Sequence, residues 1–311
     1  MTDLDPKLRQ FLDLLASLGQ PPISELSPEE VRASRAGNTQ FLNLPSPDLT
    51  VIRDIEVDGA AGPLKARIYD AENGAARPTL IYFHGGGFVL GDIESHDPLC
   101  RRLAHAGEMR VISVDYRLAP EAPFPAGVED AIAATKAVAA NSSAYGVDPA
   151  RLAVGGDSAG ANLATVTARA CARAGAPKIA FQLLFYPVVA AGRSTPSRER
   201  FIEGYFLTKE GMDWFDRHYF PPDADKSLEE ASPLLTPPPA GLAPAYVVTA
   251  GFDPLVDEGR DYAEALKAAG VPTDYVDYPD QIHGFVSFTA FSSVAAQAIE
   301  DAARAVRNGL A

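Results

Sequence analysis

Gly156-Asp157-Ser158-Ala159-Gly160 follows the apolar run Leu152-Ala153-Val154-Gly155 without a spacer, and it is the stretch that most restricts the fold. A strand has to stop, turn sharply and restart as a helix. The continuation Ala161 to Ala170 is Ala-rich and free of Gly and Pro, as a helix requires. The outer glycines permit the turn, because a side chain on either would clash with the strand or the helix packed beside it. Ser158 is thereby held up at the strand end, facing the amides of the helix N-terminus.

The rest of the chain is written in the same rhythm. Buried-type strands at Thr79–Phe83, Arg110–Val114, Leu152–Gly155, Ile179–Phe185, Ala245–Thr249 and Thr273–Tyr278 alternate with helical stretches, which predicts βαβ units and a mainly parallel sheet. Val51–Val57 and Leu64–Tyr69 flank the turn Asp58-Gly59-Ala60-Ala61-Gly62-Pro63 and read as an antiparallel pair of edge strands, making eight in all. Two helices precede them. Asp5 can cap one over Pro6–Leu18 with Gly19 as its stop, and Ser27-Pro28-Glu29-Glu30 opens another that ends near Gly37.

From Val188 to about Pro239 the alternation lapses. This interval is rich in Pro, Ser and Arg, with one amphipathic helix at about Thr208–Tyr219 and the run Pro237-Pro238-Pro239. Insertions this long usually carry function or cover something. Its aromatic residues (Phe201, Tyr205, Phe206, Trp214, Phe215 and Tyr219) need a partner surface. The expected organisation is an α/β core over 49–187 and 240–311, with a helical cap built from 1–48 and 188–239. At 311 residues and 47% hydrophobic content the chain can bury such a core.

A net charge of −14 disfavours nucleic acid and anionic membrane surfaces as partners. No run approaches a membrane-spanning length. Met1-Thr2-Asp3-Leu4-Asp5 is acidic and runs into Pro6, without the features of a secretion signal. Cys100 and Cys171 stand far apart, as reduced thiols of a cytoplasmic chain would.

The glycine-flanked serine has the form of a nucleophile elbow. A serine hydroxyl is a poor nucleophile unless a base takes its proton and a carboxylate fixes the base's tautomer. On a fold of this kind the order along the chain is serine, acid, histidine. Of five histidines, His283 alone follows both the elbow and a later strand end. The acid belongs at the end of the preceding strand, where Asp253 lies two residues past Gly251; Asp257, further on, suits a helix start instead. The developing oxyanion needs donors already in place. His84-Gly85-Gly86-Gly87-Phe88, directly after a strand, can supply backbone amides to complement that of Ala159. His84 has no His or Cys companion at ligand spacing, so it is expected to brace its loop rather than bind metal.

These residues resemble the bacterial hormone-sensitive-lipase-like carboxylesterases of the α/β-hydrolase superfamily, in the branch with a G-D-S-A-G elbow. The resemblance spans about Leu80 to Phe285 and rests on separated motifs. They are His84-Gly85-Gly86-Gly87-Phe88, Asp115-Tyr116-Arg117-Leu118-Ala119-Pro120-Glu121 with Pro123-Phe124-Pro125-Ala126, Asp253-Pro254-Leu255-Val256-Asp257, and His283-Gly284-Phe285. It implies Ser158 as nucleophile, Asp253 as acid and His283 as base, with Gly86, Gly87 and Ala159 as oxyanion donors. It also implies a capped α/β-hydrolase fold and a homodimer through the edge of the last strand. Two departures are small: Ala122 stands where histidine is common, and Ala161 where a second glycine follows the elbow.

The expected activity is hydrolysis of short to medium acyl esters through an acyl-enzyme, with a small-molecule substrate and no metal or organic cofactor. Because an imidazole base must be neutral, activity should fall on acidification. Acyltransferase, lactonase and amidase chemistry could run on the same residues, and a receptor built on this fold would keep the pocket while lacking the histidine. Leu207 and Trp214, apolar residues of the expected cap, are the candidates for the substrate pocket wall.

Overall fold

The computed structural model describes residues 3–311. Eight strands form one sheet: β1 (Val51–Asp58), β2 (Pro63–Asp70), β3 (Arg77–Phe83), β4 (Arg110–Val114), β5 (Val147–Asp157), β6 (Phe181–Phe185), β7 (Ala245–Phe252) and β8 (Thr273–Ile282). Their spatial order is β1-β2-β4-β3-β5-β6-β7-β8. The pairs β1–β2 and β2–β4 are antiparallel, and all the others are parallel. Only β1 of the opening hairpin is an edge strand. β2 is interior, since Ala66 to Tyr69 pair with Val111 to Val114 of β4. The alternation that marks a half-exposed hairpin also fits a strand covered on its second edge, so periodicity could not distinguish the two.

The central strands are buried on both sides, and the period of two divides their side chains between two cores. Ile81, Ile112, Val154, Leu184 and Val247 point to the helices Ala126–Ala140, Ala159–Ala174 and Val256–Ala268. Leu80, Tyr82, Val111, Leu183 and Val248 point to the helices Ile93–Gly107 and Ala295–Gly309 on the opposite face. None of the helices among the described residues is long and apolar enough to cross a membrane. Both cysteines are buried and unpaired, and burial pushes the Cys171 thiol up to about 11.

The two N-terminal helices form where their caps predict. Asp5 Oδ1 accepts from Lys7 N at 2.8 Å to start Pro6–Ser17. Ser27 and Glu30 exchange backbone and side-chain bonds of 2.8 and 3.2 Å to start Pro28–Arg35. Arg32 on the second helix ties it to the sheet's upper end: its guanidinium donates to Val89 O (2.9 Å), Ala119 O (2.7 Å) and both oxygens of Glu121.

The 188–239 insertion contains a short helix Pro196–Arg200, the expected helix at Lys209–Tyr219 with Thr208 as its N-cap, and a 3-10 turn at Pro233–Leu235. Ion pairs fasten it to the core. Arg198 meets the buried Glu258, and the fully buried Arg169 meets Glu229 at 2.9 Å while also donating to Thr236 and Pro237. Burial works to raise the Glu229 carboxyl, but hydrogen bonds from Arg173 and Arg169 outweigh it and hold the group at about 2, against an ordinary 4.5. A depressed folded-state value means the stabilisation is complete above the unfolded value and fades as pH falls toward the folded one. Glu229→Gln should therefore lower Tm at neutral pH, and the gap to wild type should narrow below pH 4.5. Thermal melts across that range check this; a pH-independent gap would contradict it.

Candidate active site

β5 delivers Ser158 into a turn that few residues tolerate. Its backbone sits at φ 54°, ψ −117°, a left-handed conformation that persists only when the surroundings enforce it. Ser158 N donates to Phe185 O at 2.9 Å, and Ser158 O accepts from Val188 N at 3.3 Å, so the end of β6 clamps the turn. The flanking glycines are sterically required: a Cβ on Gly160 would lie 1.9 Å from Phe83 O, and one on Gly156 would lie 2.4 Å from the same atom.

The chain ends two further strands beside this turn. β7 stops at Phe252, and Asp253 follows it, completely buried, with Oδ1 accepting from Leu255 N at 2.8 Å. β8 stops at Ile282, and His283 follows, its chain turned by Gly284 at φ 80°. His283 Nδ1 lies 2.7 Å from Asp253 Oδ2, and Nε2 lies 3.0 Å from Ser158 Oγ. An ionised carboxylate can only accept, so Nδ1 carries the proton and Nε2 presents its lone pair to the hydroxyl. Asp257 is occupied elsewhere: it accepts from Ser197 N at 2.8 Å and from Arg260 at 2.7 Å in the first turn of its helix.

The glycine loop after β3 faces the same point. Gly86 and Gly87 have φ of 118° and 62°, and a Cβ on Gly86 would meet Leu90 O at 2.2 Å. Among the described residues, the amides of Gly86, Gly87 and Ala159 meet no protein acceptor. His84 is fully buried, with Nδ1 2.8 Å from Gly85 O and its ring stacked on Tyr116 at 4.4 Å. Burial, with His96 nearby, pushes its pKa down to about 4, so it is neutral and donates to Gly85 O. Among the described residues no three His, Cys, Asp or Glu side chains are grouped so as to hold a metal ion.

Of the two pocket candidates, one is packed in the interior and the other lies in a turn of the insertion. Trp214 is 1% exposed, its Nε1 bonded to Leu26 O at 3.0 Å, so it joins the insertion helix to the N-terminal segment. Leu207 is half-buried in the turn before that helix. Phe215, one residue on, is the aromatic that meets the glycine loop: a Cβ on Gly87 would lie 2.3 Å from its ring. One helical step turns a side chain by about 100°, and composition could not say which neighbour faced inward. Sequence reasoning also missed Tyr186, whose buried ring lies 4.7 Å from the His283 imidazole on a backbone at φ 35°. Its place directly after β6 was the one available signal.

A strand-borne serine, a histidine and an acid at three strand ends, with free amides opposite, are the anatomy of an α/β hydrolase. The family pattern described as the alpha/beta hydrolase fold matches residues 80–287, and the chain belongs to that family. Within it the relatives below put the chain in the hormone-sensitive-lipase-like branch. Carboxylic ester hydrolase LipN of Mycobacterium tuberculosis is 42% identical over 91% of this chain and 77% of its own length. Carboxylesterase NlhH of the same organism is 36% identical over 99% of this chain and 97% of its own. Among solved structures, a serine-to-alanine mutant of an α/β hydrolase from the metagenome of Lake Arreo, Spain, superposes with a TM-score of 0.95 at 44% identity, covering 98% of both chains.

Proposed function

We propose that this carboxylic ester hydrolase works through Ser158 as nucleophile, His283 as base and Asp253 as the acid that orients it. The observation that carries the reading is the continuous chain of two hydrogen bonds, 3.0 and 2.7 Å long, from Ser158 through His283 to Asp253. Ser158 Oγ attacks the ester carbonyl as its proton passes to His283 Nε2. The oxyanion then accepts from the amides of Gly86, Gly87 and Ala159, each such donor being worth about a hundredfold to a thousandfold in rate. The imidazolium returns the proton to the leaving alkoxide, and the alcohol departs. A water attacks the acyl-enzyme with the same histidine as base, releasing the acid and restoring the serine. No step calls for a metal or an organic cofactor.

Residues 3–48 and 188–239 form the cap over this centre, and 49–187 with 240–311 form the catalytic core; residues 1 and 2 of the expected cap lie outside the described residues. The fastening of Arg32 to Val89 and the contact of Phe215 with Gly87 support that division. The substrates are short to medium acyl esters. Phe215 sits close over the glycine loop, and a relative named ethyl acetate hydrolase, from Pseudomonas putida, is 35% identical over 91% of this chain. With p-nitrophenyl esters, kcat/KM should peak at short to medium chains; a peak beyond about a dozen carbons, too long for a pocket of ordinary size, would refute it.

Two unpaired, buried thiols fit a reducing cytoplasm, and the charge of −14 argues against nucleic acid as a partner. β8 is an edge of the sheet, paired only with β7, and such an edge invites a second copy of the chain. Sedimentation should show a homodimer, and Val276→Lys on that strand should shift it to monomer. A wild-type monomer at all concentrations would exclude the dimer.

A further inference from the structure

Asp157, the residue between Gly156 and Ser158, is 5% exposed and is hydrogen-bonded to the glycine loop. Its Oδ1 accepts from Gly85 N at 3.0 Å and from the Tyr82 hydroxyl at 2.8 Å. His96 Nε2, from the helix Ile93–Gly107, lies 3.2 Å from the same oxygen. The fit leaves no slack, since a Cβ on Gly85 would lie 2.3 Å from Asp157 Oδ2. Strand register explains the approach: Phe83 of β3 pairs with Gly156 of β5, so Asp157 and Gly85 emerge side by side from adjacent strands.

This arrangement joins two parts of the site through one side chain. Ser158 is one peptide beyond Asp157, and the Gly86 amide is one peptide beyond Gly85. We propose that Asp157 is a positioning residue for the transition state: its carboxylate, backed by His96, sets the distance between the nucleophile and the oxyanion-binding amides. Burial favours the uncharged form of both partners. Each nonetheless shifts toward its charged form, Asp157 downward and His96 upward, mainly through their mutual attraction. Tyr116 closes the far side by donating to His84 O at 2.8 Å, so the loop is held from both flanks. The inference rests on Ser158 as nucleophile and on the Gly86 and Gly87 amides as oxyanion donors.

The test compares Asp157→Ala, Asp157→Asn and His96→Gln by kcat and KM on p-nitrophenyl butyrate, by Tm, and by the Ki of an aryl trifluoromethyl ketone. That ketone forms a tetrahedral adduct whose oxyanion needs the same amides. A displacement of about 1 Å at a reacting centre lowers rate by about a hundredfold, so Asp157→Ala should lose roughly that in kcat. Its KM should stay within about threefold, and the ketone affinity should fall in proportion to kcat/KM. Asp157→Asn keeps an oxygen able to accept from Gly85 and Tyr82, and should recover most of the loss; His96→Gln should fall between. If ketone affinity is unchanged, if the asparagine variant is as impaired as the alanine one, or if lost rate matches lost folded fraction, the proposal is overturned. Labelling wild-type protein with diethyl p-nitrophenyl phosphate and mapping the adduct separates the two levels. An adduct away from Ser158 defeats the reading beneath; an adduct on Ser158 with wild-type behaviour in the variants defeats this inference alone.

Discussion

Ser158→Ala is expected to lower ester turnover on the order of 10⁴-fold or more while leaving the melting temperature close to that of wild type. The hydroxyl makes one contact that matters, to His283 Nε2 at 3.0 Å, and the strained backbone is held by main-chain bonds to Phe185 and Val188. Alanine keeps those bonds and removes only the attacking oxygen. The fold is therefore preserved and the acyl-enzyme cannot form. Pre-steady-state release of p-nitrophenol measures this directly, because wild type should give a burst equal to the enzyme concentration if deacylation limits turnover. The variant should give none. Residual turnover above a few per cent of wild type would put the nucleophile elsewhere.

Asp253→Asn should cost about 10⁴-fold in kcat, nearly as much, without removing any group that touches substrate. Asparagine is isosteric, and its carbonyl can still accept from Leu255 N, the bond that shapes the loop at 2.8 Å. Toward His283, however, an amide NH₂ replaces a carboxylate. The imidazole then turns its lone pair to residue 253 and its N–H to Ser158, which is the wrong tautomer for a base. An imidazole titration by NMR and kcat on the same sample test the account. Asp257→Asn, on a carboxylate committed to Ser197 and Arg260, should keep kcat within about threefold. Equal losses in the two variants would overturn the assignment of the acid.

How far the structure could be anticipated depends on the range of the forces involved. The elbow, its helix and both N-terminal caps follow from local sterics and local hydrogen bonds, so Gly156, Gly160, Asp5 and Ser27 announce them. Strand existence follows from alternation, and all eight strands overlap the predicted ranges. The pairing of β2 with β4, which moves β2 from edge to interior, depends on partners over forty residues away in the chain. Within the insertion, hydrophobic content marks a helix in need of a partner and singles out Leu207 and Trp214, whereas the residue that meets the glycine loop is Phe215.

The candidate site divides in the same way. Residue types and chain order were enough to single out Ser158, Asp253 and His283, because the chemistry of proton transfer admits few side chains and the turn before a helix admits few neighbours. Their separations are another matter. Two contacts spanning 125 and 30 residues arise from the parallel register of β5 to β8, which brings three strand ends to one place. The buried group of Asp157, His96, Tyr82 and Gly85 belongs to that category too, since its members carry no spacing that relates them. Local steric rules act between near neighbours and can be read along a chain; convergence of distant groups is a product of packing, and it exists only once the sheet has assembled.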